Sequence, residues 1–411
     1  MLELKDINLS YGDKKILEDI NVSFAEGTVS VISGASGSGK SSLIKLLNGV
    51  IPQFVNADVK GGIIVDEEDI SQKDVAARSD FISTVFQNPK SQFYSINTTD
   101  EIVFALENRN LPKDEIVDTV KEYTEILGTK KLLDRDIFKL SGGEKQLVAI
   151  TAVACMKQKV YIFDEPSASL DIDAIKRLKS AIKTLKELGK IIIIVEHRLY
   201  YLKDILDKLY AVEDAKLIEL ESVDEESIKR HNLRTLNEIS KQELIEGCKD
   251  FSYRKVSVNN NSTSDLGKED RILSCRNYKY SYMKNRVFDF SIDFSRGIHF
   301  IIGENGIGKS TFVRCLCGLN KGFGKGFYYE NNFIKKPEKL ISLVMQDVNY
   351  QLFTESVLEE ISLVSDDEKL KEDVLVQLLL WDKRQQHPQS LSGGEKQRLS
   401  ISLCMASKKP L

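Results

Sequence analysis

A seven-residue string, Leu-Ser-Gly-Gly-Glu-Lys-Gln, occurs twice in this chain of 411 residues, at positions 140–146 and 391–397. An identical string of this length indicates an internal repeat, in which one structural unit is present in two copies. The chain length agrees with this interpretation, because domains commonly contain about 100–200 residues. The sequence therefore predicts two related domains in tandem.

Other landmarks recur in the same order along the two halves. The matched pairs are Tyr11 with Tyr282, Lys40 with Lys309, Gln87 with Gln346, and Ser141 with Ser392. The spacing within the pairs shrinks along the chain, which indicates deletions in the second copy. We expect the first domain at residues 1–220, a polar linker with a short helix near 224–246 at residues 221–270, and the second domain at residues 271–411.

Composition and charge narrow the class of protein. The hydrophobic content of 42% and the charged content of 29% are typical of a globular protein. A net charge of −4 gives no basic surface for a nucleic-acid partner, so none is expected. The start of the chain alternates apolar and polar residues like a strand, so no secretory signal is expected. The longest aliphatic run, residues 191–195, is far shorter than the roughly 20 residues of a membrane-spanning helix.

Short apolar runs alternate with helical patterns. Runs at 28–33, 160–163, 191–195 and 298–302 are rich in β-branched residues, as expected for strands buried on both faces of a parallel sheet. Residues 41–47, 175–188 and 310–317 have helical patterns. This alternation predicts an α/β fold with a mixed or parallel central sheet.

Two glycine-rich loops follow apolar runs and precede helices. Residues 34–41 and 303–310 both fit the pattern GxxxxGK[ST]. Glycines let consecutive backbone N–H groups face the same phosphate, and the helix N-terminus adds partial positive charge. Lys40 is placed to reach the terminal phosphates and the Ser41 hydroxyl to bind Mg²⁺. The sequence therefore predicts two nucleotide-binding loops.

Acidic and basic side chains end two of the apolar runs. Asp164 is expected to hold Mg²⁺ through water, and Glu165 to act as general base, a role worth about 10²–10⁴-fold in rate. His197 follows the next run and is expected to contact the terminal phosphate and the attacking water. The string at 140–146 predicts a loop that leads into a helix from about Glu144, where exposed N–H groups can bind a phosphate; a plain N-cap at Ser141 is the alternative.

Together these residues resemble the motif set of ATP-binding cassette (ABC) ATPases, in the order of that family. The resemblance implies two P-loop NTPase cassettes in tandem, each with a helical subdomain, which bind ATP and Mg²⁺. It further implies that Tyr11 and Tyr282 stack on adenine, that Gln87 and Gln346 contact Mg²⁺, and that Asp171 lies between the two halves. Two cassettes of this family close head to tail over ATP, within one chain or between chains.

The site residues that the motifs and the resemblance predict fall into four groups. ATP binding is assigned to Tyr11, Gly34, Ala35, Ser36, Gly37, Ser38, Gly39, Lys40, Ser41, Ser42, Tyr282, Gly303, Glu304, Asn305, Gly306, Ile307, Gly308, Lys309, Ser310 and Thr311. Catalysis is assigned to Glu165, His197 and Gln87. The signature residues are Ser141, Gly142, Gly143, Glu144, Ser392, Gly393, Gly394 and Glu395. Metal binding is assigned to Ser41, Gln87, Asp164, Ser310 and Gln346.

Three strings give a narrower resemblance. Residues 47–52, 87–93 and 195–200 are similar to the fused twin-cassette ATPases of energy-coupling factor (ECF) importers, which take up vitamins or metal ions in prokaryotes. This resemblance implies peripheral association with the cytoplasmic face of the membrane. The implied partners are a transmembrane coupling subunit, which meets a groove that includes residues 100–106, and a membrane-embedded substrate-binding subunit.

The second cassette departs from the first near position 411. The counterparts of Asp164, Glu165, Asp171 and His197 fall beyond this position. We therefore expect a truncated second cassette, or else a natural cassette with one degenerate half, and hydrolysis only at the site built on Lys40. The apolar strand at 298–302 is expected to lose its neighbours and to form an unpaired edge.

Two other functions are compatible with parts of this pattern. Translation factors of the ABC-F type also join two cassettes, but their linker is longer and more basic than residues 221–270. A DNA-repair ATPase requires long heptad arms between its motifs, and this sequence has none. Transport therefore fits the sequence better than either alternative.

Overall fold

The computed structural model describes residues 1–35, 37–87, 89, 92–168, 170–237, 272–282, 286–301, 303, 306–320 and 323–411. The side chains of 282, 286–290 and 323–325 lie outside this description. The chain divides into two compact units, Met1–Lys249 and Asp250–Leu411. Each unit is treated by itself below.

The first unit contains a small antiparallel sheet and a larger, mostly parallel sheet. The small sheet has the order β2-β1-β4-β5, formed by β1 (Leu2–Tyr11), β2 (Lys14–Phe24), β4 (Asp58–Val65) and β5 (Glu68–Asp69). The large sheet has the order β10-β9-β3-β8-β7-β6. Its strands are β3 (Val29–Ser33), β6 (Ile82–Val85), β7 (Val160–Asp164), β8 (Ile191–Val195), β9 (Lys208–Glu213) and β10 (Lys216–Glu219).

The central strands of the large sheet are buried on both faces. Strand β3 lies between β8 and β9 and pairs with both in parallel. Every residue of β3 and β8 is buried, which explains their continuous apolar runs. Alternate residues of β8 face two different hydrophobic clusters: Ile191 and Ile193 face one, while Ile192 and Ile194 face the other. The predicted strands at 28–33, 160–163 and 191–195 are thus confirmed.

Helices cover both faces of this sheet. Helix α1 (Lys40–Leu47) packs into the cluster that also contains the small sheet. The other cluster contains residues of α4 (Thr98–Asn108), α5 (Lys113–Ile126), α6 (Gly142–Cys155) and α7 (Ile172–Glu187). Two short helices, α2 (Val50–Gln53) and α3 (Val75–Arg78), follow α1. Single 3₁₀ turns at Lys130–Leu132 and Ile137–Lys139 precede α6. The α/β fold predicted from the sequence is confirmed.

The segment predicted as the start of the linker packs on the first unit. Helix α8 (Glu225–Arg230) begins at Asp224, whose side chain accepts a hydrogen bond from the Ser227 N–H. Ile228 and Leu236 are almost fully buried, in the same cluster as the helices above. Residues that the sequence assigned to the linker therefore belong to the hydrophobic core of the first unit, and the predicted linker helix beyond residue 237 lies outside the described residues.

The second unit repeats the small antiparallel sheet of the first. Strands β11 (Leu273–Tyr282), β12 (Arg286–Phe294), β13 (Phe323–Tyr329) and β14 (Asn332–Phe333) have the order β12-β11-β13-β14, which matches β2-β1-β4-β5. The register shift between Leu4 and Ile7 recurs between Cys275 and Tyr278. Within it, Asp6 and Asn277 both have a positive φ, of 50° and 44°. The sequence repeat is therefore also a repeat of local backbone geometry.

Helices of the second unit follow the same order as in the first. Helix α9 (Lys309–Leu316) corresponds to α1, and both helices predicted at 41–47 and 310–317 are confirmed within one residue. The remaining helices are α10 (Val357–Ser362), α11 (Glu368–Gln377) and α12 (Gly393–Ala406), with short 3₁₀ turns between several elements. Helix α12 carries the second copy of the repeated string.

The prediction of a strand at 298–302 is wrong for residues 298–301, the part of this range that the structure describes. Residues 298–301 form no strand, and the exposed fractions of Ile298 and Phe300 are 86% and 75%. In the first unit, β3 is held between β8 and β9, and the described part of the second unit contains no counterpart of these two strands. A single strand without ladder partners leaves its backbone groups unpaired, so the apolar run alone does not form a strand. The predicted unpaired edge is therefore absent there as well.

Among the described residues, no helix combines the length and the apolar character needed to cross a lipid bilayer.

Candidate functional site

The first glycine-rich loop connects the buried end of β3 to the start of α1. A Cβ atom at Gly34, where φ is 151°, would lie 2.8 Å from the carbonyl oxygen of Val212. A Cβ atom at Gly39, where φ is 111°, would lie 3.0 Å from the carbonyl oxygen of Ile16. Both positions therefore need glycine for close backbone approach as well as for their φ angle.

The Lys40 side chain folds back and hydrogen-bonds to the start of this loop. The side chain is buried, and its Nζ donates hydrogen bonds to the carbonyl oxygens of Gly34 and Ala35, at 2.9 and 2.7 Å. Burial lowers the pKa of Lys40, while the nearby carboxylates of Glu165 and Asp164 act in the opposite direction. The loop thus holds an ammonium group at its centre, facing the carboxyl end of the sheet.

The loop also carries groups that lack partners within the protein. The buried Ser38 Oγ has no hydrogen-bond partner within the protein. The N-cap residue of α1 is Gly39, which has no side chain to cap the helix N–H groups. An unsatisfied buried hydroxyl, uncapped N–H groups and a lysine are the groups that bind phosphate oxygens. The residues present therefore fit a phosphate group.

Three predicted catalytic residues meet at the carboxyl end of the sheet. Gln87 Nε2 donates a 2.9 Å hydrogen bond to Glu165 Oε2, and His197 Nε2 lies 3.4 Å from Glu165 Oε1. Strands β7 and β8 are parallel neighbours, so the residues that follow them, Glu165 and His197, lie at the same edge. Glu165 has a positive φ of 41°, and its side chain lies between the other two residues.

The two adjacent carboxylates have different acidities. Interaction with the His197 imidazole lowers the pKa of Glu165, more than burial raises it. Burial, together with the charge of Glu165, raises the pKa of Asp164 to about 6. Glu165 is consequently ionised at neutral pH, as a general base must be.

The two signature strings form the same helix start. Ser141 and Ser392 each accept a hydrogen bond from the backbone N–H three residues on, and Glu144 and Glu395 bond back to the serine backbone. This is a capping box in both copies. The glutamates pair with different cations, Glu144 with Arg135 and Glu395 with Lys383.

The remaining predicted residues of the first unit lie around these groups. The Tyr11 hydroxyl lies 3.2 Å from Ser42 Oγ, which places the tyrosine beside the start of α1. Asp171 caps α7 by accepting from the Ala174 N–H at 2.9 Å. A Cβ atom at Gly143 would lie 2.4 Å from the Ala174 Cβ, so this signature glycine lets α6 approach α7. Ser36 lies outside the described residues.

The second glycine-rich loop repeats part of this geometry. Lys309 Nζ donates to the Gly303 carbonyl oxygen at 2.7 Å, and Gly308 precedes α9 with φ 110°. Gln346 is exposed. The Gln351 side chain accepts a hydrogen bond from the Met345 N–H and donates one to the Leu343 carbonyl oxygen. Glu304, Asn305 and the Tyr282 side chain lie outside the described residues.

The sequence analysis missed the partners of Glu196. This residue lies beside His197, is 2% exposed, and binds Ser167 and Tyr201 through its carboxylate. The available signal was a carboxylate directly after an otherwise apolar strand. One partner, Ser167, lies 29 residues away in the sequence, so the sequence pattern did not reveal the contact.

Comparison with known proteins agrees with this geometry. The profile of the family described as ABC transporter matches residues 17–168 and 287–411. An ABC transporter ATP-binding protein of Treponema denticola is 35% identical, over 100% of this chain and 84% of the relative. A similarly described protein of Sulfurisphaera tokodaii is 28% identical, over 99% of this chain and 84% of the relative.

Solved structures give matches of the same kind. The structure of cbiO1 from Clostridium perfringens, part of the ABC transporter complex cbiONQ, has a TM-score of 0.49 and 29% identity, and covers 60% of this chain and 93% of that chain. The ATP-binding cassette MJ1267 has a TM-score of 0.49 and 28% identity, and covers 56% and 94%. The family match and the relatives decide the assignment: the chain belongs to the ABC transporter family of ATP-binding proteins, and it is an ATPase with the α/β P-loop cassette fold.

Proposed function

We propose that this chain energises an ECF-type importer for a vitamin or a metal ion, by closing its cassettes over ATP and coupling that motion to a membrane subunit. The observation that carries the ATPase assignment is the meeting of Gln87, Glu165 and His197 beside the loop of Lys40. The ECF subtype is supported by the strings at residues 47–52, 87–93 and 195–200.

Each group at the first site has a chemical role in this proposal. The loop and Lys40 bind the phosphates of ATP, and Glu165 takes a proton from the attacking water. His197 keeps that water and the terminal phosphate in line. Ser41, Gln87 and Asp164 are the residues that hold Mg²⁺, which when bound neutralises phosphate charge. Tyr11 stacks on the adenine ring.

The two ATP sites differ. The first site uses the residues above and is completed by Ser392 and its neighbours at the start of α12. The second is proposed to use Lys309, Ser310 and Gln346, completed by the start of α6. At the first site the proton acceptor is Glu165, and Asp171 is proposed to lie between the halves.

Exposed apolar residues around α4 suit a membrane-embedded partner. Tyr94 is 80% exposed and stacks on Phe104, with ring centroids 5.2 Å apart. Ile96 and Phe138 are also exposed. We call these four residues the α4 patch. A contiguous exposed apolar patch commonly marks an interaction site, and this one begins seven residues after Gln87. The proposed location is accordingly peripheral, at the cytoplasmic face of the membrane.

The Glu165→Gln variant tests the catalytic assignment. We expect ATP turnover to fall at least about 100-fold because the amide cannot accept the proton, while ATP binding is retained. The matched control is Glu187→Gln at the exposed end of α7, which should leave both unchanged. Substantial remaining turnover in Glu165→Gln would refute the role of Glu165.

A further inference from the structure

We infer that Glu196 is a positioning residue for hydrolysis, which joins His197 to the chain segment that follows Glu165. The inference rests on the proposed roles of Glu165 and His197. It concerns a residue that lies beside the reacting groups without contacting them.

The Glu196 carboxylate accepts hydrogen bonds from residues that directly follow it and from Ser167, in the turn after β7. Its Oε1 accepts from the backbone N–H groups of His197 and Arg198, at 2.8 and 3.0 Å. Its Oε2 accepts from Ser167 Oγ at 2.6 Å, from the Ser167 N–H at 3.3 Å, and from the Tyr201 hydroxyl at 3.1 Å. All of these partners are donors, and an ionised carboxylate is the side chain that accepts at both oxygens.

These bonds connect the turn that carries Glu165 to the turn that carries His197. Ser167 lies two residues after Glu165 in the turn that follows β7, and His197 follows β8. Arg198 adds a second connection, because its Nη1 donates to the Ser167 carbonyl oxygen at 3.3 Å. The carboxylate therefore sets the separation of the two turns that carry Glu165 and His197.

The separation of these turns matters because a small displacement of a catalytic side chain lowers the reaction rate. The His197 and Glu165 side chains are 3.4 Å apart. A displacement of about 1 Å in a catalytic group can lower the rate about 100-fold. A carboxylate that only stabilises the fold would instead act equally with or without the histidine.

A double-mutant cycle on the full chain separates these two roles. We expect Glu196→Gln to lower kcat at least about tenfold, since it turns an amide N–H₂ toward donors and shifts His197. The KM for ATP should stay within about twofold. In a His197→Ala background the same substitution should lower the single-turnover rate less than about twofold.

Further variants guard against loss of folding. Tyr201→Phe and Ser167→Ala each remove one donor, and both should lower kcat with thermal unfolding close to the parent. Thr151→Val is the control, because it removes a buried hydrogen bond to Thr129 away from the site, and it should leave kcat unchanged.

Four outcomes decide between these roles. An unchanged kcat in Glu196→Gln overturns the inference, as does an equal loss in both backgrounds, which shows a purely structural role. A His197→Ala variant with normal kcat refutes the proposed role of His197 itself, and the positioning role fails with it. A loss confined to the background that contains His197 supports the inference.

Discussion

Single buried polar residues join segments that the sequence keeps apart. Arg78 is 1% exposed, and its guanidinium donates to the carbonyl oxygens of Leu46, Ser71 and Lys73. It thereby provides a donor for the Leu46 carbonyl in the last turn of α1 and connects α1 to the loop before α3. Burial lowers the pKa of Arg78, yet these bonds keep the cation in place. Nothing in the local sequence distinguishes this arginine from an exposed one.

Replacement of Arg78 tests this role. We expect Arg78→Leu to lower the free energy of unfolding by about 3 kcal/mol, because several buried carbonyl groups lose their donor. Urea unfolding measures the change. Arg230→Leu, at the exposed end of α8, is the control and should stay within about 0.5 kcal/mol. Equal effects of the two variants would show that the buried contacts contribute nothing.

At the scale of elements, local signals fix where helices begin. The identical strings at 140–146 and 391–397 give the same capping box at the start of α6 and α12. The sequence predicted the first of these helices from about Glu144, and the structure begins it two residues earlier, at Gly142. The flanking cations differ: the Lys383 ammonium, through a hydrogen bond, lowers the pKa of Glu395 to about 2.

This ion pair predicts a pH-dependent contribution of α12 to stability. A carboxylate with a lowered pKa stabilises the folded state above its unfolded value of 4.5, and this stabilisation is lost as the pH falls toward about 2. We expect Lys383→Met to destabilise the second unit by about 1 kcal/mol at pH 7. The difference from the parent should shrink below pH 4.5 in hydrogen-exchange measurements of α12.

The exposed Lys369 provides the matched control. Lys369→Met should change stability little at any of these pH values. A Lys383→Met effect that stays constant between pH 7 and pH 3 would contradict the assigned ion pair.

At the scale of the whole molecule, exposed apolar residues in both units support the proposed transport function. Counterparts of Tyr94 and Phe104 in the second unit are Phe353 and Leu363, with exposed fractions of 77% and 65%. Each unit therefore exposes apolar residues after its matched glutamine, Gln87 in the first unit and Gln346 in the second. A partner that buries two such patches must itself be apolar there.

The α4 patch gives a prediction about that partner. We expect Tyr94→Asp to abolish co-purification with a small hydrophobic membrane protein from detergent-solubilised membranes, because a charge is then buried at the interface. Basal ATP turnover should be retained. Val117→Asp on the exposed face of α5 is the control and should leave capture intact. Recovery of ribosomal proteins in place of the membrane protein would favour the translation-factor alternative.

The sequence by itself determined the repeat, the α/β class and the two glycine loops, since each depends on residues close together in the chain. The meeting of Gln87 and Glu165 with His197 was expected from motif order, and the sheet order places them within bonding distance. Only the tertiary structure decided the fate of residues 298–301, because a buried strand requires neighbouring strands as well as an apolar run. It alone revealed the contacts of Glu196 with Ser167 and of Arg78 with Leu46, because these partners are 29 and 32 residues apart in the sequence.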